Sequence, residues 1–88
     1  MTVTNQLSCQ VGKTDAFGLD VSAWANGDSL TSYNVTSVNG LIDVKSVAVD
    51  GYKITFLATG IEAGVANALI EWETQDRSRK ENMLIRVV

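Results

Sequence analysis

Hydrophobic and polar residues alternate along most of this chain. Phe17, Leu19 and Val21 alternate with small or polar residues, and the segments 52–56 and 66–73 follow the same pattern with one exception. Strict alternation places every second side chain on the same face of a β-strand, so it predicts strands with one buried face. On this basis we expect Trp72 to face the core and its neighbours to face solvent.

Dipeptides that favour tight turns separate the alternating segments. Asn26-Gly27, Asn39-Gly40 and Asp50-Gly51 accept the positive φ angles that such turns require. The Asp50-Gly51 dipeptide lies between two alternating segments, 41–49 and 52–58, and therefore predicts a β-hairpin.

Together these signals predict one all-β domain over residues 1–88. Short strands at nearly regular spacing with no helix between them favour two antiparallel sheets packed face to face, with a barrel as the alternative architecture. The fold class is thus predicted as a seven-stranded antiparallel β-sandwich, with strands at about residues 2–10, 16–22, 29–37, 41–48, 52–58, 65–74 and 79–88.

Composition excludes several classes of function. The 88 residues include no histidine and a single cysteine, which rules out a histidine-based triad and an internal disulfide. The net charge of −3 disfavours a general nucleic-acid binder. The apolar segments are too short to span a bilayer, and the first ten residues lack the basic and apolar regions of a signal peptide. We expect no cofactor.

Two groups of carboxylates are candidate chemical sites. Asp15, Asp20 and Asp28 supply oxygen ligands but lack the dense spacing of a calcium loop, so we expect no metal site. Glu71 and Glu73 lie on the same face of one predicted strand, as an acid–base pair would. Because that face is predicted to be outward and a small sandwich offers little cleft, we expect no catalytic residues.

Four residues are predicted to bind a partner. Arg77, Arg79 and Lys80 are the only concentrated cations in an acidic chain, and at a loop tip they would suit an acidic partner surface. A solvated tip that discourages edge pairing is the alternative. Trp24 lies where the alternation loosens, so it either caps one end of the sandwich or contacts the partner.

Several segments of the chain resemble small structural proteins of tailed bacteriophages. The resemblance begins with an acidic residue, Asp15, directly before an alternating strand that ends in Trp24. It continues with Gly-Asp-Ser-Leu at 27–30 and with the segment 54–64. It ends with Asp-Arg-Ser at 76–78, which is followed by the final strand. It covers residues 15–88 and is a pattern of strand and turn residues.

The resemblance implies an immunoglobulin-like component of the virion that is made in the host cytoplasm and is not an enzyme. Its first expected role is a capsid decoration (cement) protein that binds the head in many copies. A tail, neck or fibre-attachment subunit is the alternative, as is a carbohydrate- or host-surface-binding module that stacks sugars on Trp24 or Tyr33. The expected partners are capsid or other virion proteins, with homo-oligomer formation as a further option, and neither nucleic acid nor membrane.

Overall fold

A computed structural model describes residues 7–88, which form seven β-strands and one short helix. Residues 2–6 of the predicted first strand lie outside the described residues. The strands are β1 (Leu7–Cys9), β2 (Thr14–Asp20), β3 (Ser32–Ser37), β4 (Ile42–Asp50), β5 (Lys53–Gly60), β6 (Gly64–Glu73) and β7 (Ser78–Val87). The helix, α1, spans Ser22–Ala25 between β2 and β3.

The strands form two sheets, as the alternation predicted. One sheet has the order β1-β7-β6-β3 and the other has the order β2-β5-β4. The expectation of purely antiparallel sheets is wrong, because β1 runs parallel to β7. The chain crosses from one sheet to the other at residues 10–13, so β1 cannot form a hairpin with β2 and joins the edge of β7 instead. Alternation reports which face a residue occupies but carries no information about strand direction.

The core lies between the two sheets and is built from the residues that the alternation assigned to it. Phe17 and Phe56 stack with ring centroids 5.7 Å apart. Trp72 is buried while Glu71 and Glu73 are exposed, which confirms the predicted faces of β6. The largest side chains that are fully buried are Phe56, Ile42, Ile54, Ile70, Ile85 and Cys9.

The predicted hairpin is formed by β4 and β5. Asp50 pairs with Lys53 across a two-residue loop, and Gly51 at the first loop position has a φ of 62°. This conformation is easily accessible only to glycine, so Gly51 fixes the tight turn and the register of the hairpin. The register shifts between Lys45 and Ala48, where Ser46 adopts a φ of 55°.

Helix α1 was not expected from the sequence. It begins beside a hydrogen bond from the Ser22 N–H to Asp20 Oδ1 (2.9 Å) and ends at Asn26, which has a φ of 50°. A four-residue helix contains too little sequence to show a helical period. The chain from 22 to 31 therefore forms a compact loop, and β3 starts at Ser32 rather than near residue 29.

The crossing segment 10–13 is attached to the end of β5. The Gly12 N–H donates to the Gly60 carbonyl (2.8 Å), and the Gly60 N–H donates to the Lys13 carbonyl (3.1 Å). A Cβ at residue 60 would lie 2.5 Å from the Gln10 carbonyl oxygen, so the crossing requires glycine there. The Val11 N–H donates to the Val88 carbonyl (2.9 Å), which brings the C-terminal residue to the same end of the sandwich.

Candidate functional site

The two ends of the sandwich differ in chemistry. One end, here called the apolar end, consists of residues 10–13, 38–41, 61–65 and Val88, which backbone hydrogen bonds link to one another. The opposite end, here called the charged end, consists of residues 21–31, 51–52 and 74–77, which connect the other ends of the strands.

The apolar end presents a cluster of exposed aliphatic side chains. Each is between 47% and 60% exposed, and they are Val11, Val38, Ile61, Val65 and Val88. Lys13 and Glu62 are the only charged side chains in the segments that form this end. Exposed apolar side chains that gather at one end of a domain are a candidate site for binding another protein.

Hydrogen bonds hold the loops of the apolar end in place. The Asn39 side chain donates through Nδ2 to the Val65 carbonyl (2.9 Å) and accepts through Oδ1 from the Asn67 N–H (3.2 Å). The Ile61 N–H donates to the Leu41 carbonyl (2.8 Å). The aliphatic side chains therefore project from an ordered backbone, which lowers the entropic cost of docking.

None of the residues predicted from the sequence to bind a partner lies at this end. Its signal is nevertheless visible in the sequence, because Val38 directly precedes the Asn39-Gly40 turn and Ile61 directly follows Gly60. Aliphatic residues beside turns lie where the strand alternation has stopped, so that alternation does not assign them to the core. Their position next to turns is the sequence signal from which Val38 and Ile61 could have been predicted as candidate contact residues.

At the charged end, Arg77 is bonded within the protein. Its Nη2 donates to the Trp24 carbonyl (2.9 Å) and to the Ala25 carbonyl (3.2 Å), and it lies 3.5 Å from Asp28 Oδ2. The guanidinium also lies 4.4 Å from the centre of the Trp24 ring. Arg77 thus links α1 and the loop that follows it to the turn between β6 and β7.

Trp24 packs as a cap over one end of the core. It is half-buried and meets Trp72 edge-to-face, with ring centroids 5.8 Å apart and an interplanar angle of 86°. Because Arg77 covers one face of the Trp24 ring, that face is not free for a sugar. A role for Trp24 in partner binding stays a prediction.

Arg79 and Lys80 do not lie at a loop tip. The turn is closed by a hydrogen bond from the Thr74 N–H to the Arg77 carbonyl (2.8 Å), and β7 begins at Ser78, so both residues are exposed strand positions. In register, Arg79 faces Trp72 and Lys80 faces Glu71. Consecutive strand residues point to opposite faces, so the predicted basic patch is divided, and its role in partner binding stays a prediction.

Glu71 and Glu73 lie on the outer face of the four-stranded sheet, beside a shallow depression. Ser32 Oγ donates to Glu73 Oε1 (2.6 Å), and Lys80 lies in register with Glu71. Both carboxylates are exposed. The other residues around this depression are Tyr33, Asn34, Trp72, Ser78 and Arg79.

The three aspartates of the candidate metal site have separate surroundings. Asp20 accepts from the Ser22 N–H and Asp28 lies beside Arg77, while Asp15 is at the opposite end of β2 from Asp20. Hydrogen bonds from the Ser22 backbone and side chain, aided by the charge of Lys53, hold the pKa of Asp20 below its usual value. Within residues 7–88 no three acidic or cysteine side chains come close enough to hold a metal ion. The helix in this part of the chain is too short to cross a membrane.

No protein-family model, curated protein or solved structure matches this sequence. The chemistry of the molecule's own surface is therefore the basis on which a function can be proposed. Its most distinctive feature is that exposed aliphatic side chains gather at the apolar end, whereas the segments of the charged end carry no large aliphatic side chain that is exposed.

Proposed function

We propose that this protein is a structural binding module of a tailed-bacteriophage particle and that it docks on another virion protein through its apolar end. The observation that carries the proposal is the cluster of five exposed aliphatic side chains on hydrogen-bonded loops. Burying apolar surface stabilises association by about 25 cal/mol per Å² before the costs of binding are subtracted.

The strand order supports an immunoglobulin-like assignment of the sandwich. Strands β2, β5 and β4 share one sheet, while β3, β6 and β7 share the other, so the chain repeatedly passes between the sheets. This division matches the B-E-D and C-F-G groups of immunoglobulin-like domains. The resemblance of residues 15–88 to small virion proteins of tailed phages points in the same direction.

Within the virion, capsid decoration is the role that we propose first. Docking by one end leaves the rest of a small domain outside the contact, which suits a protein that binds a lattice in many copies. Many copies can also make a modest individual contact effective when the copies are linked to one another. A tail, neck or fibre-attachment subunit would use the same apolar contact at fewer sites.

The proposal can be tested with particles assembled without this protein. Purified protein is added, the particles are separated from free protein, and the bound copies are counted. We expect saturable binding at a fixed copy number. The double substitution Val38→Ser with Ile61→Ser should lower the affinity at least about tenfold, since both side chains are proposed to be buried in the contact.

Leu57→Ser is the matched control, because Leu57 is an exposed aliphatic on the outer face of β5, away from the apolar end. It should bind like the unaltered protein. Circular dichroism and urea unfolding establish that all variants remain folded. Absence of binding by the unaltered protein would overturn the virion proposal, and full occupancy by the double variant would overturn the role of the apolar end.

A further inference from the structure

Two Asn-Gly dipeptides lie at opposite ends of the sandwich. Asn26-Gly27 belongs to the charged end and Asn39-Gly40 belongs to the apolar end. Asparagine is a chemically labile residue, and it is most labile before glycine, because no side chain hinders the approach of the glycine nitrogen to the asparagine amide. The two dipeptides are identical in sequence, but the fold gives them different surroundings.

We propose that Asn26 is a site of self-modification in the folded protein and that Asn39 is protected from the same reaction. The nitrogen of residue 27 attacks Cγ of Asn26 and gives its proton to solvent, while the side-chain nitrogen leaves as ammonia. Water then opens the five-membered imide to aspartate or, by attack at the other carbonyl, to isoaspartate. The sum of these steps is the hydrolysis of one amide, and water is the only co-reactant. The proposal goes beyond virion attachment and does not depend on it.

The side-chain amide of Asn39 is bonded to β6 through both of its polar atoms. Nδ2 donates to the Val65 carbonyl (2.9 Å), and Oδ1 accepts from the Asn67 N–H (3.2 Å). The Val38 N–H also donates to the Asn67 carbonyl (2.9 Å). For the imide to form, Cγ of Asn39 must turn toward the nitrogen of Gly40, which removes the amide from both of its partners. The reaction at Asn39 therefore requires the turn to separate from β6.

The side chain of Asn26 is exposed at the end of helix α1. The hydrogen bonds of this turn come from the backbone, since the Asn26 N–H donates to the Ser22 carbonyl (3.0 Å) and the Asp28 N–H donates to the Ala25 carbonyl (3.0 Å). In the part of the chain that the structure describes, only Asn39 of the two asparagines ties its side chain to a strand. The amide of Asn26 can therefore react without first giving up a bond to the sheets.

The backbone at Asn26 determines when the reaction can occur. Its φ of 50° and ψ of 43° place the Gly27 nitrogen on the far side of the Cα–C bond from the side chain. The peptide between the two residues must rotate before the imide can form, so the reaction takes place in molecules whose loop 22–31 has opened. Arg77 opposes this opening through its bonds to two carbonyls of α1. The rate at Asn26 therefore depends on the link that Arg77 makes.

Conversion of Asn26 would change the charged end of the molecule. Either product adds a carboxylate two residues from Asp28, and isoaspartate also lengthens the main chain by one atom. Asp28 Oδ2 lies 3.5 Å from Arg77 Nη2, so both changes act on the segment that Arg77 holds. Amide exchange across residues 22–31 should be faster in the converted protein, whereas exchange across residues 38–41 should be unchanged.

Prolonged incubation at mildly alkaline pH followed by mass spectrometry tests the proposal. Trypsin cleaves after Lys13 and Lys45 and releases both asparagines on one peptide, so their conversion is compared within one sample. Each rate is divided by the rate of the same residue in urea-unfolded protein, which removes the effect of the flanking sequence. We expect the normalised rate at Asn26 to exceed that at Asn39 at least about tenfold, since only Asn39 must break two side-chain bonds. Equal normalised rates, or a faster reaction at Asn39, would overturn the proposal.

Substitution of Arg77 tests the dependence on loop opening. Arg77→Ala should speed conversion at Asn26 about fivefold and leave Asn39 unchanged, because it loosens the charged end alone. Arg79→Ala is the matched control and should change neither rate, since Arg79 is an exposed strand residue. An unchanged rate at Asn26 in Arg77→Ala, or equal acceleration at both asparagines, would overturn the role of the loop. These measurements use isolated protein without particles, so their outcome is separate from the test of virion attachment.

Discussion

At the scale of single residues, Ser46 occupies the least favourable backbone conformation in the sheets. Its φ of 55° is rare for any residue other than glycine, asparagine or aspartate. It lies in the bulge of β4, where Ser46 and Val47 together oppose Phe56 of β5. Bulges of this kind commonly carry glycine at the left-handed position. The bulge keeps Val47 and Val49 on the inner face after the extra residue.

We predict that Ser46→Gly stabilises the protein by about 0.5–1 kcal/mol, because glycine removes the strain of the left-handed conformation. The greater conformational entropy that glycine gives to the unfolded chain offsets only part of this stabilisation. Ser46→Val should destabilise it, because a β-branched side chain fits this conformation worst. Urea unfolding at neutral pH measures both changes. A Ser46→Gly variant that is less stable than the original protein would contradict this explanation.

Asp20 is the residue whose titration should be visible in stability. Hydrogen bonds from Ser22 stabilise its ionised form and lower its pKa in the folded protein below the usual value of an aspartate. A lowered folded pKa contributes stability that is present above the unfolded pKa and is lost as the pH falls through the folded value.

Asp20→Ala should therefore be less stable than the original protein at pH 7, and the difference should shrink as the pH falls below about 4. Urea unfolding at a series of pH values measures this. Asp15→Ala is the control, since Asp15 lies at the other end of β2. If the difference in unfolding free energy between Asp20→Ala and the original protein is constant from pH 7 to about pH 2, the charge of Asp20 does not contribute to stability.

At the scale of elements, one side chain connects parts of the chain that the sheets leave separate. Arg77 follows β6, yet it is bonded to the Trp24 and Ala25 carbonyls of α1 and lies beside Asp28. Helix α1 has only four residues and could not persist alone in water. Its position therefore depends on these bonds and on the packing of Trp24 against Trp72.

We predict that Arg77→Ala lowers the free energy of unfolding by about 1 kcal/mol, through the loss of the hydrogen bonds and of the contact with the Trp24 ring. Faster amide exchange across residues 22–31 should accompany it. Arg79→Ala is the matched control, because Arg79 is an exposed strand residue two positions away. Equal losses in the two variants would show that the link contributes nothing specific.

The sequence predicted the strands well because their alternation is a local signal. All described strands lie within a few residues of their predicted positions, and Trp72, Glu71 and Glu73 face the expected sides. The direction of β1 and helix α1 could not be predicted in this way. The first depends on a partner strand 78 residues further along, as in the pairing of Leu7 with Ile85, and the second is too short to show a period.

The candidate site was predicted less well. The concentration of cations in the sequence predicted a partner site at Arg77, Arg79 and Lys80. In the fold, however, Arg77 is hydrogen-bonded to the Trp24 carbonyl, and Arg79 and Lys80 point to opposite faces of the sheet. The apolar end could not be predicted in this way because its exposed aliphatic residues lie in separate parts of the chain, in turns, at the start of β6 and after β7. Their proximity arises only when the strands are assembled.

At the scale of the whole molecule, the unequal ends predict how attachment responds to salt. Apolar contacts are insensitive to ionic screening, whereas contacts between exposed charges weaken as salt rises. Docking through the apolar end should therefore have nearly the same affinity in dilute buffer and in about 0.5 M sodium chloride.

Docking through the exposed cations would behave differently. Its affinity would fall with salt, and simultaneous charge reversal of Arg77, Arg79 and Lys80 would abolish both the binding and the salt dependence. Particle-binding measurements at several salt concentrations separate the two surfaces. A strong salt dependence that disappears in the reversed variant would favour the cations and contradict docking through the apolar end.

The parallel pairing of β1 with β7 determines how the domain would respond to tension. The two strands run side by side in the same direction, and the Val88 N–H continues their contact by donating to the Cys9 carbonyl (2.9 Å). Opposite pulls at Leu7 and Val88 act along the strands and across the hydrogen bonds that join them. These bonds would be sheared together rather than opened one by one, so the domain would yield abruptly at high force.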